Sequence, residues 1–362
     1  MIRNNRIVAL LALCLLVAIM LTSCYAKVVV LQEAAKESVA VASAPVEENK
    51  VEEKKTVDVK KDDNGRLKTG LSFVTSLSSS KEQLAQSDAT FVAVAVDGSG
   101  VIQSCVIDAV QAKVRFDENG QITTDISVPV ESKNELGPRY GMAKASGIGK
   151  EWNEQMKSLA DYVVGKTAAE VKGIAFKDGK PEDVDLASSV TVYMGGYISA
   201  IADAAENAEY RGARKGDKLE LVTYTTLTSS KSATDEKDGC AQADISAMML
   251  TLDGDKITSA YVDVAQAKVT FSNKGVITAD TSVNVQTKNQ LKEGYGMGRI
   301  SSIGADWYQQ AASYASYITG KTVDEALGIA VNEKSAPADA DLASSVTMSI
   351  GSFNELLKKV SR

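Results

Sequence analysis

The chain has 362 residues, with 40 Lys and Arg against 47 Asp and Glu, a formal net charge of −7 and no histidine. An acidic chain without a basic block is a poor ligand for nucleic acid. The lack of histidine excludes Ser-His-Asp and Cys-His catalysis and His-ligated zinc or haem. The four cysteines form no CxxC pair for a zinc knuckle or an iron–sulfur cluster. We therefore expect no metal site, and we expect any redox chemistry to come from a bound cofactor.

Residues 1–23 have the features of an export signal, with two arginines followed by an apolar run from Ile7 to Leu21. The run is shorter than the roughly 20 residues of a transmembrane helix. It ends in Leu-Thr-Ser-Cys, which resembles the lipobox of bacterial lipoproteins, in which the cysteine becomes the lipid-bearing first residue. The resemblance implies a lipid anchor at Cys24 on the extracytoplasmic face of the cell membrane. An ordinary secretory signal with an incidental cysteine is the alternative.

Residues 24–66 have mixed charges and no sustained apolar period, which predicts a solvated, flexible tether. Strand patterns follow at 89–96, at 101–114 and, after an Asp-Glu-Asn-Gly turn, at 121–126. The chain therefore begins its folded part with strands.

The period then becomes helical. Apolar residues at helical spacing from Trp152 to Val163 share one face, and Gly165 lies where a helix C′ residue is expected. Capping boxes at Thr167 and Thr322 begin two short helices, and a last helix is predicted at 193–205 and at 351–360. Strands followed by helices predict an α+β fold, with helices packed on an antiparallel sheet.

The folded part is a tandem repeat of one unit, at an offset of about 155 residues. YGMAKASGIGKEW begins at Tyr140 and YGMGRISSIGADW at Tyr295, and DLASSVT occurs identically at 185–191 and 341–347. A period this long predicts two tandem domains, at 67–212 and 213–362. Because each unit contains a full set of strands and helices, we expect each to fold independently.

The DLASSVT segment resembles the flavinylation motif of bacterial FMN-binding domains: Asp, two variable residues, Ser or Thr, a small residue, a position that is usually Ala, and Thr. In that family a flavin transferase joins the phosphate of FMN to the Thr hydroxyl. The resemblance implies that Thr191 and Thr347 are the acceptors, and a helix that follows would offer free amides to the phosphate. The matching positions before them are Asp185 and Asp341, Ser188 and Ser344, and Ser189 and Ser345.

Val190 and Val346 depart from the usual Ala, and their bulk could hinder the transferase. As an alternative to flavinylation, these hydroxyl groups form only turn and cap interactions before a helix.

A glycine-containing loop precedes the Trp helix in each unit, with Tyr140, Gly141 and Met142 in the first and Tyr295, Gly296 and Met297 in the second. Glycine permits close backbone approach, and Tyr and Met can face a flat ring. These residues therefore either contact the flavin ring or pack simply against the domain. Lys133 and Lys288 are candidates to neutralise a reduced flavin or its phosphate, or are solvated side chains. The two tryptophans are expected in the core.

The lipobox, the tether and the two units together resemble the flavinylated surface lipoproteins of Gram-positive flavin-based extracellular electron transfer. This resemblance implies an electron carrier with one covalent FMN per domain rather than a substrate-specific enzyme. It implies as partners a flavin transferase, a membrane quinol- or NADH-linked donor, and extracellular acceptors such as ferric iron. A non-redox surface lipoprotein, an adhesin or solute-binding module, is the main alternative. A subunit of a membrane ion pump fits less well, because such subunits keep a transmembrane helix.

Overall fold

The computed structural model describes residues 65–361, which lie within one compact unit. The export signal, Cys24 and the tether up to residue 64 lie outside the described residues and stay predictions. Arg66, assigned to the tether from sequence, is the first residue of a strand. Within the described range, no helix is long and apolar enough to cross a membrane.

Ten strands and ten α-helices follow one another in chain order in the described residues. The strands are β1 (Arg66–Ser76), β2 (Leu84–Val96), β3 (Ile102–Arg115), β4 (Phe176–Lys177), β5 (Lys180–Pro181), β6 (Glu209–Arg214), β7 (Lys218–Thr226), β8 (Gly239–Asp253), β9 (Lys256–Phe271) and β10 (Asn284–Val285). The helices are α1 (Lys133–Leu136), α2 (Trp152–Val163), α3 (Ala168–Lys172), α4 (Val184–Ala187), α5 (Gly195–Glu206), α6 (Lys288–Leu291), α7 (Trp307–Ile318), α8 (Val323–Leu327), α9 (Ala340–Ala343) and α10 (Gly351–Lys358).

The strands form two large antiparallel sheets and one small hairpin, so the α+β class predicted from sequence is confirmed. The first sheet has the order β10-β1-β2-β3, with β6 also paired to β1, and the second has the order β7-β8-β9. The hairpin is β4-β5. Every pairing between these strands is antiparallel.

The two large sheets pack face to face, and each carries helices on its outer face. Along β2, Phe91 and Ala93 point into a core between the sheets, whereas Val92 and Val94 point into a core beneath the helices. This alternation follows from the period of two along a strand. Because both faces are covered there, residues 91–96 form a continuous apolar run. The layers are therefore helices, sheet, sheet and helices.

The central core belongs to both halves of the chain. The rings of Phe116 and Phe271, which are equivalent in the repeat, stack with centroids 3.8 Å apart. The halves also exchange strand partners reciprocally. Val285 pairs with Thr75 in β1, and Val130 makes the equivalent bridge to Thr225 in β7. A core shared in this way does not fit the expectation that each half folds alone. The boundaries 67–212 and 213–362 stay predictions.

The helix signals read from the sequence agree closely with the structure. Helix α2 spans Trp152–Val163, and Gly165 has φ +86°. The capping boxes at Thr167 and Thr322 are both formed. Trp152 and Trp307 are buried, as expected. The last helices are shorter than predicted, at 195–206 and 351–358.

The strand predicted at 121–126 is wrong. Only Ile122 makes a bridge, to Phe116. The neighbouring polar groups bond to the other half instead: the Ile122 N–H donates to Ser232 Oγ at 3.0 Å, and Gln121 Nε2 donates to the Ala233 carbonyl at 3.1 Å. The Ile122 N–H is thus used by a loop of the second half, and the segment forms a single bridge in place of a strand ladder.

Candidate functional site

The candidate acceptors Thr191 and Thr347 lie in loops, four residues before α5 and α10, and both are partly exposed. The Thr191 N–H donates to Gln155 Oε1 at 2.8 Å, and its hydroxyl donates to the same oxygen at 3.2 Å. The Thr347 N–H and hydroxyl donate to Gln310 Oε1 at 2.9 and 3.3 Å. The two threonines therefore have the same arrangement, each held by one buried side-chain amide.

Gln155 and Gln310 lie one turn into α2 and α7, and both side chains are completely buried. Their amide protons are also used. Gln155 Nε2 donates to Ser146 Oγ and to the Lys150 carbonyl, each at 3.1 Å. Gln310 Nε2 donates to Ser301 Oγ at 3.1 Å and to the Ala305 carbonyl at 2.9 Å. Backbone N–H groups only donate and carbonyls only accept, so these partners fix the orientation of each amide.

The N-cap residues of the same helices hold the chain at the end of the two Tyr-Gly-Met segments. Glu151 caps α2 and accepts the Met142 N–H at 2.8 Å. Asp306 caps α7 and accepts the Gly298 N–H at 2.8 Å. Met297 Sδ lies 4.0 Å from Gln310 Nε2. The glycine-containing loops and the candidate acceptor threonines thus meet at the N-terminal end of one helix in each half.

Gly141 and Gly296 both have φ +79°, a left-handed conformation that favours glycine. Each ends a short 3₁₀ turn whose last residue is the tyrosine of the Tyr-Gly-Met segment. The glycines are therefore needed where the chain turns from that tyrosine toward the acceptor loop.

The other motif residues have mainly local roles. Asp185 and Asp341 are exposed in the first turns of α4 and α9, whose N-caps are the preceding Asp183 and Asp339. Ser188 and Ser344 donate at 2.7 Å to the carbonyls of Asp185 and Asp341. The two remaining serines also bond locally: Ser189 Oγ lies 3.4 Å from Ser188 Oγ, and Ser345 Oγ donates to the Leu342 carbonyl at 3.3 Å. Turn and cap interactions account for these residues but not for the two threonines.

Val190 and Val346 are buried at 1% and 0% exposure, in the cores beneath the helices. Their added bulk relative to Ala therefore lies inside the protein, away from the exposed side of the acceptor loop.

Tyr140 and Tyr295 each belong to a cluster of one lysine and two aromatic rings. Lys288 Nζ lies 4.6 Å from the Tyr295 ring centroid and 5.2 Å from that of Trp307. Lys133 is related in the same way to Tyr140 and Trp152, at 4.7 and 4.9 Å. Neither lysine forms an ion pair within the described part of the chain.

A cavity opens beside each of these lysines. In the second half it has a volume of about 490 Å³ and is lined by Lys288, Trp307, Gln266 and Asp244, and by Ser349 and Phe353 near the loop of Thr347. In the first half a cavity of about 290 Å³ lies beside Lys133, Gln111 and Tyr140. The larger volume is within the range of small-molecule sites.

The two halves differ at the residues that flank the larger cavity. Tyr197 occupies the position of Phe353, and its hydroxyl accepts a hydrogen bond from Trp152 Nε1 at 3.3 Å. Tyr193, which is exposed, occupies the position of Ser349. The equivalent region of the first half therefore carries two tyrosines where the second half has phenylalanine and serine.

Asp108 and Asp263 are equivalent buried carboxylates that fasten α1 and α6, the helices that begin at Lys133 and Lys288. Asp108 Oδ1 accepts the N–H groups of Ala109 and Asn134 at 2.7 and 3.1 Å. Asp263 Oδ1 makes the equivalent bonds to Val264 and Asn289, at 2.8 and 3.1 Å. Burial outweighs these bonds and raises the pKa of each aspartate to about 6.

This pKa predicts how stability depends on pH. An aspartate with a pKa near 6 when folded and about 3.9 when unfolded stabilises the fold most below about pH 4, and this contribution is lost as the pH rises through 6. Asn keeps the accepting Oδ1 without the charge. We therefore compare the free energy of unfolding of the double variant Asp108→Asn with Asp263→Asn with that of wild type at two pH values. The difference, variant minus wild type, should be larger at pH 7.5 than at pH 4.5 by about 2 kcal/mol per site. Urea unfolding at both pH values measures this, and a difference independent of pH would contradict it.

Within residues 65–361, no group of three or more Cys, Asp or Glu side chains is arranged to hold a metal ion. Sequence reasoning missed Gln155 and Gln310 as site residues. Their equivalence in the repeat and their position on the apolar face of a helix were the available signals, since a polar residue there must find partners when buried.

No family model matches the chain. No solved structure matches it either. One segment of 102 residues is 32% identical to a chlorophenol reductase of Desulfitobacterium hafniense. The match covers 27% of this chain and 28% of the relative, so most of each protein lies outside it.

Proposed function

We propose that the protein is a surface-anchored electron carrier that bears FMN covalently, through phosphoester bonds to Thr191 and Thr347. The observation that carries this proposal is the repeated arrangement of a partly exposed threonine hydroxyl on a buried glutamine amide. The two copies come from tandem FMN-binding domains in this proposal. The serines of the motif are used within their own turns, which leaves the threonine as the side chain presented for modification.

The residues around Thr347 fit a flavin mononucleotide. The chain has no histidine, and the Thr347 hydroxyl lies in a loop and is partly exposed. Ser349 follows two residues later and lines the cavity that contains Lys288, Trp307 and Phe353. A flat ring suits the aromatic walls. The Lys288 ammonium group, which forms no ion pair among residues 65–361, favours negative charge on a reduced ring. Lys288 would hold the ring in the second half, and Lys133 with Tyr140 in the first.

FMN, when bound, supplies electron-transfer chemistry that no side chain of this protein provides. The protein's own residues bind and orient the group, and the aromatic walls limit access of water to the ring. The name of the partial relative, a reductase, is consistent with a redox role but does not specify a cofactor.

The proposed donor is a membrane quinol- or NADH-linked partner, and the proposed acceptors are extracellular oxidants such as ferric iron. These partners rest on the family resemblance. Two flavins on a tether would allow one to meet a donor at the membrane while the other faces outward.

The proposed location depends on Cys24. Replacing it with alanine removes the thiol that would carry the lipid, so Cys24→Ala should appear in the medium or remain as an unprocessed precursor. Fractionation and N-terminal mass of the mature chain measure the result, with Cys105→Ala as the matched control. Normal anchoring and processing of Cys24→Ala would contradict the assignment.

Intact mass of the exported protein tests the proposed function. Each phosphoester adds the mass of FMN minus the mass of one water. Co-expression with an active flavin transferase should add two such increments, and expression without the transferase should add none. The redox titration of the yellow product should then show two flavins. A colourless protein of unmodified mass in both cases would favour the alternative of a non-redox lipoprotein.

A further inference from the structure

We propose that Gln155 and Gln310 are positioning residues for the modification of Thr191 and Thr347. The inference rests on the proposed function and concerns how the chain presents its acceptor. Each glutamine is the one buried side chain that bonds both the backbone and the hydroxyl of the acceptor threonine among the described contacts. The same geometry occurs twice, at residues that are equivalent in the repeat.

The bond lengths separate two roles of the amide oxygen. The backbone N–H groups of Thr191 and Thr347 donate at 2.8 and 2.9 Å, and Met348 adds a third donor to Gln310 at 3.1 Å. The hydroxyl bonds are 3.2 and 3.3 Å, long for an O–H···O bond. The amide therefore holds the backbone firmly and the hydroxyl weakly.

This division suits a hydroxyl that must react. In the transfer, the threonine Oγ forms a bond to the flavin phosphate of a flavin dinucleotide, the phosphoanhydride bond breaks, and the nucleoside monophosphate leaves. The hydroxyl proton passes to a base of the transferase, because an amide oxygen is not a base. The long bond to the glutamine is given up, while the short backbone bonds keep the oxygen at the exposed side of the loop. The product ester has no hydroxyl proton to donate to the glutamine. The bonds from the threonine backbone N–H groups to the glutamine oxygen are unaffected by this loss.

The amide protons make the anchor specific to glutamine. Gln310 Nε2 donates to the Ala305 carbonyl at 2.9 Å and to Ser301 Oγ at 3.1 Å. A leucine would fill the space but accept and donate nothing. An ionised glutamate would accept from Thr347 but repel the Ala305 carbonyl, whereas a protonated glutamate would accept and also donate once.

The test uses the other half of the same molecule as an internal reference. Purified unmodified protein is incubated with flavin transferase and flavin adenine dinucleotide, and adducts at Thr347 and Thr191 are followed by peptide mass. Their ratio cancels the pH dependence of the transferase. Gln310→Leu should lower the ratio about tenfold or more, because small displacements of a reacting group have effects of that size.

Gln310→Glu should be slowed at pH 8 and recover toward the wild-type ratio as the pH falls through the pKa of a buried carboxyl, above its usual value of about 4.3. Gln310→Leu should show no such recovery. Gln309→Glu is the matched control, since Glu154 occupies that position in the first half and forms the same capping box. Gln155→Glu should have the opposite effect: at pH 8 it should raise the ratio of the Thr347 adduct to the Thr191 adduct above the wild-type value.

A wild-type ratio in Gln310→Leu would overturn the inference, as would equal, pH-independent ratios in the Leu and Glu variants, which indicate a packing role alone. If Gln310→Leu does not fold, the Thr191 adduct also disappears. The pH dependence of the ratio in Gln310→Glu and Gln155→Glu then tests the inference. If wild type acquires no adduct at all, the proposed function itself fails.

Discussion

Replacing both Thr191 and Thr347 with alanine should abolish covalent flavin, and each single replacement should leave one adduct. The reason is geometric: these hydroxyls are the ones held at the loop surface by a buried amide, and methyl groups offer the transferase no nucleophile. The loss should be complete, because no other hydroxyl in the motif has an equivalent anchor in the structure.

The matched controls are Ser188→Ala and Ser344→Ala, which remove hydroxyls three residues away that bond back to their own helices. Both should keep two adducts. The measurements are intact mass and flavin fluorescence on a denaturing gel, where noncovalent flavin is lost. A fluorescent double threonine variant would assign the attachment to another residue. Wild type without flavin, despite an active transferase, would remove the electron-carrier function altogether.

The local features of this fold could be predicted from the sequence because they depend on neighbouring residues. The apolar spacing from Trp152 to Val163, the glycine at 165 and the capping box at Thr167 each act within a few residues, and each is present. The candidate acceptors Thr191 and Thr347 also belong to a local motif, and both lie in loops and are partly exposed.

The features that were missed depend on residues far apart in the chain. The pairing of Val285 with Thr75 and the stacking of Phe116 on Phe271 join positions more than 150 residues apart, and no local period records them. The amide of Gln155 gains its role only when the loop of Thr191 reaches it, 36 residues later. A repeated sequence suggested two independent domains, yet a repeat is equally compatible with two halves that cover each other.

This shared core leads to the second large prediction, which concerns residues 213–362 expressed alone. The fragment should not be a stable, folded monomer. Separation uncovers the inner face of the β7-β8-β9 sheet, with seven large apolar side chains of the central core: Leu219, Leu221, Leu227, Ile245, Met249, Val269 and Phe271. At about 1.5–3 kcal/mol for each buried side chain, the loss is on the order of 10–20 kcal/mol. That matches or exceeds the typical free energy of unfolding of a domain, about 5–15 kcal/mol.

The fragment has one way to recover that contact, which is to pair with a second copy of itself. The reciprocal bridges Thr75–Val285 and Val130–Thr225 relate the two halves as a pseudo-symmetric pair, so one half can stand in for the other. We therefore expect the 213–362 fragment to be dimeric or insoluble, and residues 65–361, which contain both halves, serve as the control and should be monomeric. Sedimentation and urea unfolding at two protein concentrations measure this, since the unfolding midpoint of a dimer rises with concentration. A monomeric fragment that unfolds cooperatively at a concentration-independent midpoint would mean that each half is stable without the other, and that the central core contributes far less than its burial implies.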